Sequence, residues 1–477
     1  MKWTPISKTL ALVAILTLDR LVVSSLFGPG DAEALYWTYG RHLQAAYLDH
    51  PPLTGWLLAL SNAVLGPTPL GIRIVPILLF DVTVIAAHLL GSAMWKDPEA
   101  GWWSALAVSL SPASLIGGVA AAPDAPLAAF WLLSALFLWK SIERPDSGLL
   151  YPALTGISIG LAILSKHTGA CLALGALVLA VRVGYHRRPG FHVALVLALL
   201  TAAPVVLWNM DHDWIQLRHR LFWTQGGAGF SMRNLGALVG GQALYMGPAL
   251  ILYFGVLAKV ARPPTIDYSF IFWLSVPTLG ITYLLCLWSR VAEPHWPFAG
   301  YLVLAIGAGG LLKPLTAGMR RIWRVSMGYA FGAYLLAHIF ILFPVLPCLL
   351  PANRYEPRYD LTNELYGWPE AAEQIRRMAK PGEKVAAAHY TLCSQLTFAL
   401  SRKNDPQVVC ASPEIDDFDL WGLAPRKGDP LIFVTDNRFP DLPQVLRTNR
   451  AEKVSSLEIT RGGRWVRRFD FYRLMMH

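Results

Sequence analysis

Long apolar segments recur along the first 350 residues of this 477-residue chain and constrain its fold more than any other feature. A helix needs about 20 apolar residues to cross a bilayer, whose core leaves no backbone polar group unpaired. With 54% hydrophobic and 15% charged residues, the chain is too apolar for an ordinary soluble domain. The pattern predicts an α-helical polytopic membrane protein of about eleven spans, near residues 8–27, 71–95, 102–120, 125–142, 150–165, 168–183, 191–208, 235–257, 268–288, 297–312 and 325–348.

The Lys and Arg residues between these spans predict the orientation of the chain. The N-terminus starts with Lys2 and Lys8 and has no small-x-small cleavage site, so we interpret it as a retained first helix on the cytoplasmic side. Every second connection is then basic, which is the positive-inside pattern. The other connections, including the long one over residues 28–70, face outward. The basic connections hold Lys96, Lys140, Arg144, Arg182, Arg187, Arg188, Lys259, Arg262, Lys313, Arg320, Arg321 and Arg324.

The net charge of +10 could suggest a nucleic-acid partner, but the basic residues follow the membrane segments. No basic motif of the kind that nucleic-acid-binding folds carry is present in the sequence. We therefore expect membrane lipids around the chain and no nucleic acid.

Residues 351–477 have no apolar run long enough to span a membrane, and they predict a separate α/β domain outside it. The domain boundaries are thus 1–350 for the transmembrane part, with 28–70 as its first outward loop, and 351–477 for the tail. Cys393 and Cys410 lie in the tail, where an oxidising compartment would permit a disulfide that spacing alone does not establish. The predicted elements are a helix at Trp368–Met378, strand Lys384–His389, helix Leu392–Leu400, strands Gln407–Ala411 and Leu431–Thr435, a short helix, and two strands ending at Leu474.

Two carboxylates, Asp31 and Glu33, open the first outward loop after the helix-breaking Gly28-Pro29-Gly30. The aromatic-rich stretch that follows, as far as Tyr47, is expected to form an amphipathic helix on the membrane. Residues two apart on a helix point roughly 200° away from each other, so only one of the two carboxylates can face a small site. By position alone, Asp31 is equally explained as a helix cap.

His50 and Lys166 are candidates for binding an anion. Asp49-His50-Pro51-Pro52 is a rigid extended turn, because proline disfavours helix at the residue before it. His50 can donate a hydrogen bond to a phosphate there, although a lone interfacial histidine is more often an ordinary surface residue. Lys166 lies within a long apolar stretch, where a cation is costly unless it reaches the interface or pairs with an anion.

Three further outward segments carry weaker signals. Asp124 stands where a span begins, so a helix cap is the alternative to a site role. His212, in the loop Val206–Arg220, can contact a sugar or simply be solvated. His295 and Trp296 lie at the mouth of a span, where the alternative is an aromatic anchor at the membrane interface.

Taken together, these segments resemble bacterial glycosyltransferases of the GT-C superfamily, family 39 in the broad sense. That group includes protein O-mannosyltransferases and the lipid A aminoarabinose and galacturonic acid transferases. No single motif is specific, but nine occur in the family's order over most of the chain. The matching stretches are GDAEALYW, YLDHPPLTGWL, GIRIVP, AAPDAPLAAFW, GLAILSKHTG, PVVLWNMDHDW, AEPHWP, YGWPEAAEQIR and DDFDLWG.

The resemblance implies transfer of a sugar from a polyprenyl-phosphate donor, by inverting direct displacement, on the periplasmic side of the bacterial inner membrane. It implies Asp31 as catalytic base, Asp124 as a second acid, and His50 with Lys166 as cationic donor-phosphate contacts. The family usually has adjacent Asp and Glu, whereas Ala32 separates them here, so either Asp31 or Glu33 can be the base. Candidates for substrate contacts are Tyr36, Asp49, His212, His295 and Trp296.

The expected partners are a polyprenyl-phosphate sugar as donor and a lipid, a glycan or a protein as acceptor. No cofactor is certain: relatives differ in their use of a divalent metal, and the sequence contains no ligand set that requires one. A transporter or flippase of lipid-linked sugars is the alternative, although internal repeats and broken spans typical of transporters are not evident. An inactive relative whose tail only binds glycan is a third hypothesis.

Overall fold

The computed structural model describes residues 3–223, 225–261, 265–290, 293–440 and 451–475. The chain divides into two compact units, each built from separate stretches of sequence. The first unit is made of Met1–Leu21, Gln44–Thr54 and Ile74–Leu335. The second unit is made of Val22–Leu43, Gly55–Arg73 and Leu336–His477. The predicted tail therefore shares a unit with residues that surround the first acidic motif, and the predicted boundary at 350/351 stays a prediction.

Helices dominate the first 350 residues, and five strands follow in the tail. In chain order the α-helices are α1 (Pro5–Ser24), α2 (Asp31–Arg41), α3 (Leu53–Leu65), α4 (Pro69–Trp95), α5 (Pro98–Ser109), α6 (Pro112–Gly117), α7 (Asp124–Glu143), α8 (Leu150–Ser165), α9 (Gly169–Arg182), α10 (Pro189–Asp211), α11 (Ile215–Arg218), α12 (Met232–Tyr245), α13 (Ala249–Val260), α14 (Ile266–Trp288), α15 (Phe298–Leu311), α16 (Ala317–Leu342), α17 (Val345–Leu349), α18 (Trp368–Met378), α19 (Tyr390–Ala399) and α20 (Asp417–Leu420). A π-helical segment, His219–Trp223, continues α11. The strands are β1 (Lys384–Ala387), β2 (Val408–Cys410), β3 (Pro430–Asp436), β4 (Glu452–Arg461) and β5 (Arg464–Met475).

Helices occur at all of the predicted spans, but they differ in length. Among the described residues, five are long and apolar enough to cross a membrane: α4, α7, α10, α14 and α16. A sixth span is possible if α12 and α13 are counted as one bent helix. Others, such as α8, α9 and α15, are apolar but shorter. The count of about eleven spans thus stays a prediction.

Two predicted spans are broken in the structure. The predicted span 102–120 divides into α5 and α6, because Ser111 caps α6 by accepting a hydrogen bond from the Ser114 amide at 3.1 Å and Pro112 follows it. The predicted span 235–257 bends by 104° between α12 and α13. Gly247 lies at that bend with φ of +56°, a conformation that favours glycine. The expectation that no span is broken is therefore wrong.

Small residues allow close helix packing in the first unit. Gly156 of α8 faces the backbone of Ala194 in α10, and Gly175 of α9 faces the backbone of Trp273 in α14. A Cβ at either glycine would collide with main-chain atoms, so the helices can approach this closely only with glycine there.

The tail forms a five-stranded mixed sheet in the order β2-β1-β3-β5-β4. β2, β1 and β3 are parallel, and β5 pairs antiparallel with both β3 and β4. Ile432 and Val434 of β3 pack in one hydrophobic cluster with α18 and α19, and the alternate residues Leu431 and Phe433 pack in another. The predicted tail elements are confirmed within a few residues, except that the short helix α20 was not predicted and the predicted helix before β4 lies outside the described residues.

The segment predicted as the first outward loop, residues 28–70, differs from its prediction. α2 ends at Arg41 rather than near Tyr47, and α3 was not predicted. Within the second unit α2 packs on α19, where Trp37 meets Phe398 edge-to-face with ring centroids 5.0 Å apart. Gly40 of α2 lies so close to α3 that an added Cβ would be 2.9 Å from the amide nitrogen of Ala59. These contacts hold the helix that begins with the two candidate carboxylates.

Candidate functional site

Glu33 is held within the second unit by a buried arginine and a backbone amide. Its carboxylate accepts a hydrogen bond from the Gly30 amide at 2.9 Å and from the Nε of Arg73 at 3.0 Å. Glu33 is 8% exposed and Arg73 is 1% exposed. Glu33 gives the buried guanidinium of Arg73 a counter-charge and a hydrogen-bond acceptor. Its hydrogen bond from the Gly30 amide also caps the first turn of α2. These contacts give Glu33 a structural role, and its role as a catalytic residue stays a prediction.

Asp31, the first residue of α2, points to partners from the tail. Its Oδ1 accepts a hydrogen bond from Nε2 of Gln395 at 3.0 Å, and its Oδ2 pairs with Nη1 of Arg438. Gly30 occupies the N-cap position, so the interpretation of Asp31 as a cap is wrong. The two carboxylates have different partners, as the 200° separation predicts.

The guanidinium of Arg438 connects Asp31 to a second carboxylate. Its Nε donates to Oδ2 of Asp436 at 2.9 Å, and its charge is shared between the two acids. Burial lowers the pKa of Arg438, but the charges of Asp436 and Asp31 outweigh that effect and raise it above the usual value. Arg438 is therefore a permanent cation beside Asp31.

The predicted substrate contact Tyr36 is buried in α2, and its ring meets that of Tyr39 edge-to-face at 5.8 Å. The Tyr39 hydroxyl donates to Oδ2 of Asp417 at 2.9 Å, within the DDFDLWG stretch. His42 stacks on Trp421 of the same stretch at 4.4 Å. The aromatic side chains of α2 thus pack against the tail, and no described contact assigns Tyr36 to a substrate.

In the first unit, Lys166 and Asp124 form an ion pair. The Nζ of Lys166 lies 2.8 Å from Oδ1 and 2.9 Å from Oδ2 of Asp124. Lys166 is 8% exposed and follows α8, and Asp124 begins α7 with Pro123 as its N-cap. The alternative in which Asp124 caps α7 is therefore wrong. The carboxylate is the anion that Lys166 requires in an apolar setting.

His295 adjoins this pair. Its Nε2 lies 3.8 Å from Oδ2 of Asp124, and its Nδ1 lies 3.7 Å from Glu293. Burial and the neighbouring charge of Lys166 lower the pKa of His295 to about 4, so it is neutral at pH 7. The structure thus brings together three predicted site residues from separate segments: Asp124, Lys166 and His295.

A second cluster in the first unit surrounds Asp49 and His50. Arg220, in the π-helical segment, donates from Nη2 to the Asp49 carbonyl at 2.7 Å and lies 3.4 Å from Nε2 of His50. His219 Nδ1 lies 3.2 Å from Oδ1 of Asp49. Burial raises the pKa of Asp49, but His219 and Arg220 outweigh it and hold that pKa well below 3.8. Asp49 is therefore an ionised counter-charge for Arg220, and its role as a substrate contact stays a prediction.

His50 lies where a positive charge on its ring is disfavoured. Burial and the charge of Arg220 lower its pKa well below 6.5, so the ring is neutral at pH 7. The same two causes lower the pKa of His167 to about 4. The charge of Lys166 also lowers the pKa of both histidines, so the cations near them are Arg220 and Lys166. The two histidines can contribute only neutral ring nitrogens.

The remaining predicted contacts lie elsewhere on the first unit. His212 ends α10, where its Nδ1 lies 2.8 Å from the Trp208 carbonyl and its ring stacks on Trp208 at 4.1 Å. Trp296 is half-buried in the turn before α15, and its amide donates to the Glu293 carbonyl. Neither side chain joins the two charge clusters through a described contact. Among the described residues, no group of three or more His, Cys, Asp and Glu side chains could hold a metal.

Arg220, Gln395 and Arg438 were not predicted. Arg220 lies at the end of the loop Val206–Arg220 that was singled out for its acids and histidine. Its signal was a basic residue on a segment that was predicted to face outward. Gln395 and Arg438 have no local signal, because they reach Asp31 from 364 and 407 residues away in sequence.

Comparison with known proteins shows which families and structures this chain is similar to. Residues 49–208 match the family model described as dolichyl-phosphate-mannose-protein mannosyltransferase. The chain is 24% identical over 439 residues to the lipid A galacturonosyltransferase RgtD of Rhizobium johnstonii, covering 87% of this chain and 88% of that protein. It is 29% identical over 179 residues to the undecaprenyl phosphate-alpha-4-amino-4-deoxy-L-arabinose arabinosyl transferase of Pseudomonas aeruginosa, covering 36% of this chain and only 28% of that protein.

Solved structures show the same fold. ArnT from Cupriavidus metallidurans bound to undecaprenyl phosphate matches with a TM-score of 0.67 at 16% identity, covering 98% of this chain and 97% of ArnT. The archaeal oligosaccharyltransferase AglB from Archaeoglobus fulgidus matches with a TM-score of 0.51 at 12% identity, covering 87% of this chain and 65% of that chain. The resemblance to GT-C glycosyltransferases is thereby confirmed: residues 49–208 match the dolichyl-phosphate-mannose-protein mannosyltransferase family model, and the chain shares the fold of ArnT.

Proposed function

We propose that this protein is a glycosyltransferase that moves a sugar from a polyprenyl-phosphate donor to an acceptor outside the cytoplasm. The relatives named above transfer sugars to lipid A or from undecaprenyl phosphate, so a lipid is the acceptor class that they favour over a glycan or a protein. The observation that carries the proposal is the ion pair of Lys166 with Asp124. Lys166 is a buried cation, and it lies inside residues 49–208, which match the family model.

The chemistry of the donor explains why cations matter. When the sugar is displaced, the leaving group is a lipid phosphate that gains negative charge and needs no proton from an acid. Lys166 and Arg220 can stabilise that charge, while neutral ring nitrogens of His50 and His167 can contribute hydrogen bonds. Asp124 holds the Lys166 ammonium in place from α7.

Asp31 is proposed as the base. Direct displacement with inversion requires the acceptor hydroxyl to lose its proton as it attacks the sugar, and a carboxylate within hydrogen-bond reach does this. Both acids have an arginine partner, and Asp31 is chosen over Glu33 because Glu33 is buried with Arg73, whereas Asp31 is only half-buried. If the acceptor is itself an ionised phosphate, the base is not needed and Asp31 orients the acceptor instead.

The proposal includes a location. The positive-inside pattern favours a multi-pass protein of the bacterial inner membrane, with the loop 28–70 and the tail 351–477 on the periplasmic side. The transmembrane part would then be residues 1–350.

Transfer by the purified protein in detergent tests the function. Radiolabelled polyprenyl-phosphate sugars are offered with lipid A, and the labelled product is measured. We expect Asp31→Asn and Lys166→Met each to lower the rate about 10²-fold or more, while the exposed controls Glu452→Gln and Lys259→Met retain it. A flippase would give no transfer in detergent yet move lipid-linked sugar across a sealed bilayer, and that result would reject the proposal.

A further inference from the structure

The strand order of the tail sheet, β2-β1-β3-β5-β4, changes direction at β1. From β1 the chain continues through α19 to β2 on one side, and it then returns to β3 on the other side of β1. The three strands are parallel, so the carboxyl ends of β1 and β3 lie at the same edge of the sheet. In open parallel sheets, ligands bind outside the carboxyl ends of the strands at such a change of direction. The family match covers residues 49–208 and does not include this edge.

Asp31, the proposed base, is held at this edge. Gln395 of α19 donates to Oδ1 of Asp31 at 3.0 Å, and Arg438, two residues after β3, pairs with Oδ2. Arg438 also donates to Asp436, the last residue of β3, and Arg467 lies 3.7 Å from the same carboxylate. Two arginines thus face two carboxylates, and these paired charges suit an uncharged polar group better than a further ion.

His389 follows β1 at the same edge, and its ring is packed on both faces. Phe439, which follows β3, stacks on the imidazole with ring centroids 4.1 Å apart, and Tyr390 stacks on it at 4.4 Å. These two rings lie on opposite faces, because they would overlap if they shared one. Asp436 fixes the position of Phe439, since its Oδ1 accepts a hydrogen bond from the Phe439 amide at 3.0 Å. The imidazole therefore presents only its ring edge to a ligand.

One ring nitrogen of His389 is used within the protein. His389 is the N-cap of α19, and its Nδ1 accepts a hydrogen bond from the Thr391 amide at 3.3 Å. Burial, followed by the charge of Arg438, lowers the pKa of His389, and nearby carboxylates offset only part of this effect. The ring is therefore mostly neutral at pH 7, and a neutral ring whose Nδ1 accepts has its proton on Nε2. Among the described residues, Nε2 has no hydrogen-bond partner.

On the basis of the proposed function, we propose that this edge of the tail binds the head group of the acceptor and that His389 donates a hydrogen bond from Nε2 to one of its hydroxyl oxygens. The acceptor is the substrate in question because Asp31, at the same edge, is the proposed base for the reacting hydroxyl. His389 is then a positioning residue, which orients the head group through a second oxygen. Its rigid packing keeps the donor in place before the acceptor binds.

Two substitutions separate the donor on Nε2 from the cap on Nδ1. Asparagine is among the best N-caps, so His389→Asn keeps the cap and loses the Nε2 donor. The longer side chain of glutamine carries an amide NH2 group near the position of Nε2, so His389→Gln keeps a donor there and weakens the cap. If His389 only caps α19, asparagine is the better replacement; if it binds the acceptor, glutamine is.

Transfer to lipid A by the full-length protein in detergent makes this comparison. We expect His389→Asn to raise the acceptor KM about tenfold, with kcat and the donor KM unchanged, and His389→Gln to stay close to the wild type. Thermal unfolding checks that both variants are folded, and His389→Ser, which also keeps a cap, should behave like His389→Asn. Equal acceptor KM values in the Asn and Gln variants, or a rise in the donor KM instead, would overturn the assignment.

Binding of lipid A without any donor distinguishes this inference from the proposed function. The wild-type protein should bind lipid A about tenfold more tightly than His389→Asn does. If that difference is found but the wild type transfers no sugar, the proposed function fails and the acceptor site stands. If sugar is transferred but the wild type and His389→Asn bind lipid A equally well, the acceptor site is wrong and the proposed function stands.

Discussion

Glu33 and Arg73 form a buried ion pair at the start of α2, with the Nε of Arg73 3.0 Å from Oε1 of Glu33. Arg73 also donates to the carbonyls of Ser24, Phe27 and Gly28, at 2.9, 3.0 and 2.7 Å. One guanidinium therefore ties the end of α1 and the turn after it to the first turn of α2. This relationship assigns different roles to two carboxylates that the sequence alone leaves equivalent.

The first prediction separates stability from catalysis at these two positions. Glu33→Gln leaves the charge of Arg73 buried without a full counter-charge, so we expect the free energy of unfolding to fall by about 3–5 kcal/mol. Asp31→Asn should lower the transfer rate about 10²-fold or more with a much smaller loss of stability, because Arg438 keeps Asp436 as a counter-charge. Thermal unfolding in detergent, measured beside the transfer rate, checks both. Full stability of Glu33→Gln, or normal activity of Asp31→Asn, would contradict the assignment.

The second prediction concerns Arg220 and the donor phosphate. Because Arg220 is one of the two cations of its cluster, Arg220→Met should raise the KM for the polyprenyl-phosphate sugar about 10- to 100-fold. Arg220→Lys should be intermediate, since lysine keeps the charge but cannot donate through a planar fork. Arg218→Met is the matched control, because Arg218 is exposed on the same segment. Equal KM values for the Met variants at 218 and 220 would argue against a role in donor binding.

The tail elements were predictable, but the breaks in the membrane helices were not. Short β-branched runs between turn residues mark the strands, and β3 was predicted almost residue for residue. A broken span has the same apolar composition as a continuous one, so the bend at Gly247 gives no signal in hydropathy. The position of Ser111 before Pro112 is a helix-start signal that an apolar run of this length obscures.

The site residues that could be predicted are those whose charge conflicts with the apolar sequence around them. Lys166 is costly in an apolar stretch, and its partner Asp124 was the carboxylate singled out at the start of a nearby span. The partners of Asp31 could not be found in this way, because Gln395 and Arg438 are polar residues of the tail that do not conflict with their local sequence. Only the fold brings them to α2. The neutral state of His50 was also hidden, since it depends on burial and on Arg220.

The third prediction is that Asp124 and Lys166 are energetically coupled. Either single change, Asp124→Asn or Lys166→Met, leaves one charge without its partner, so the double variant should be more stable than the sum of the single losses indicates. We expect a coupling free energy of about 1–3 kcal/mol from thermal unfolding of the four proteins. The more exposed pair Lys8–Glu99, at 3.1 Å, is the control and should give under about 0.5 kcal/mol. Equal coupling in the two pairs would refute a special role for Lys166.

The fourth prediction is a loss of stability in mild acid through His167, in the turn between α8 and α9. Its pKa is about 4 in the folded protein, against the 6.5 of an unfolded chain, because burial and Arg220 disfavour the charged ring. The unfolded chain therefore binds the proton first, and stability present above pH 6.5 is lost as the pH falls towards 4. The full effect is roughly 3 kcal/mol. His167→Gln should flatten the fall in melting temperature between pH 7 and pH 5, and an unchanged slope would contradict this assignment.

The fifth prediction concerns the disulfide between Cys393 and Cys410, which joins α19 to β2 with Cα atoms 5.7 Å apart. The bond closes a loop over a separation of 17 residues, so its loss should cost about 3 kcal/mol of tail stability. Replacing both cysteines with serine should lower the melting temperature, while replacing the free, exposed Cys348 should not.

Because the cytoplasm keeps thiols reduced, the same pair of cysteines reports on which side of the membrane the tail lies. In intact cells, Cys393 and Cys410 should resist a maleimide reagent until a reductant is added, and labelling without reductant would place the tail on the cytoplasmic side.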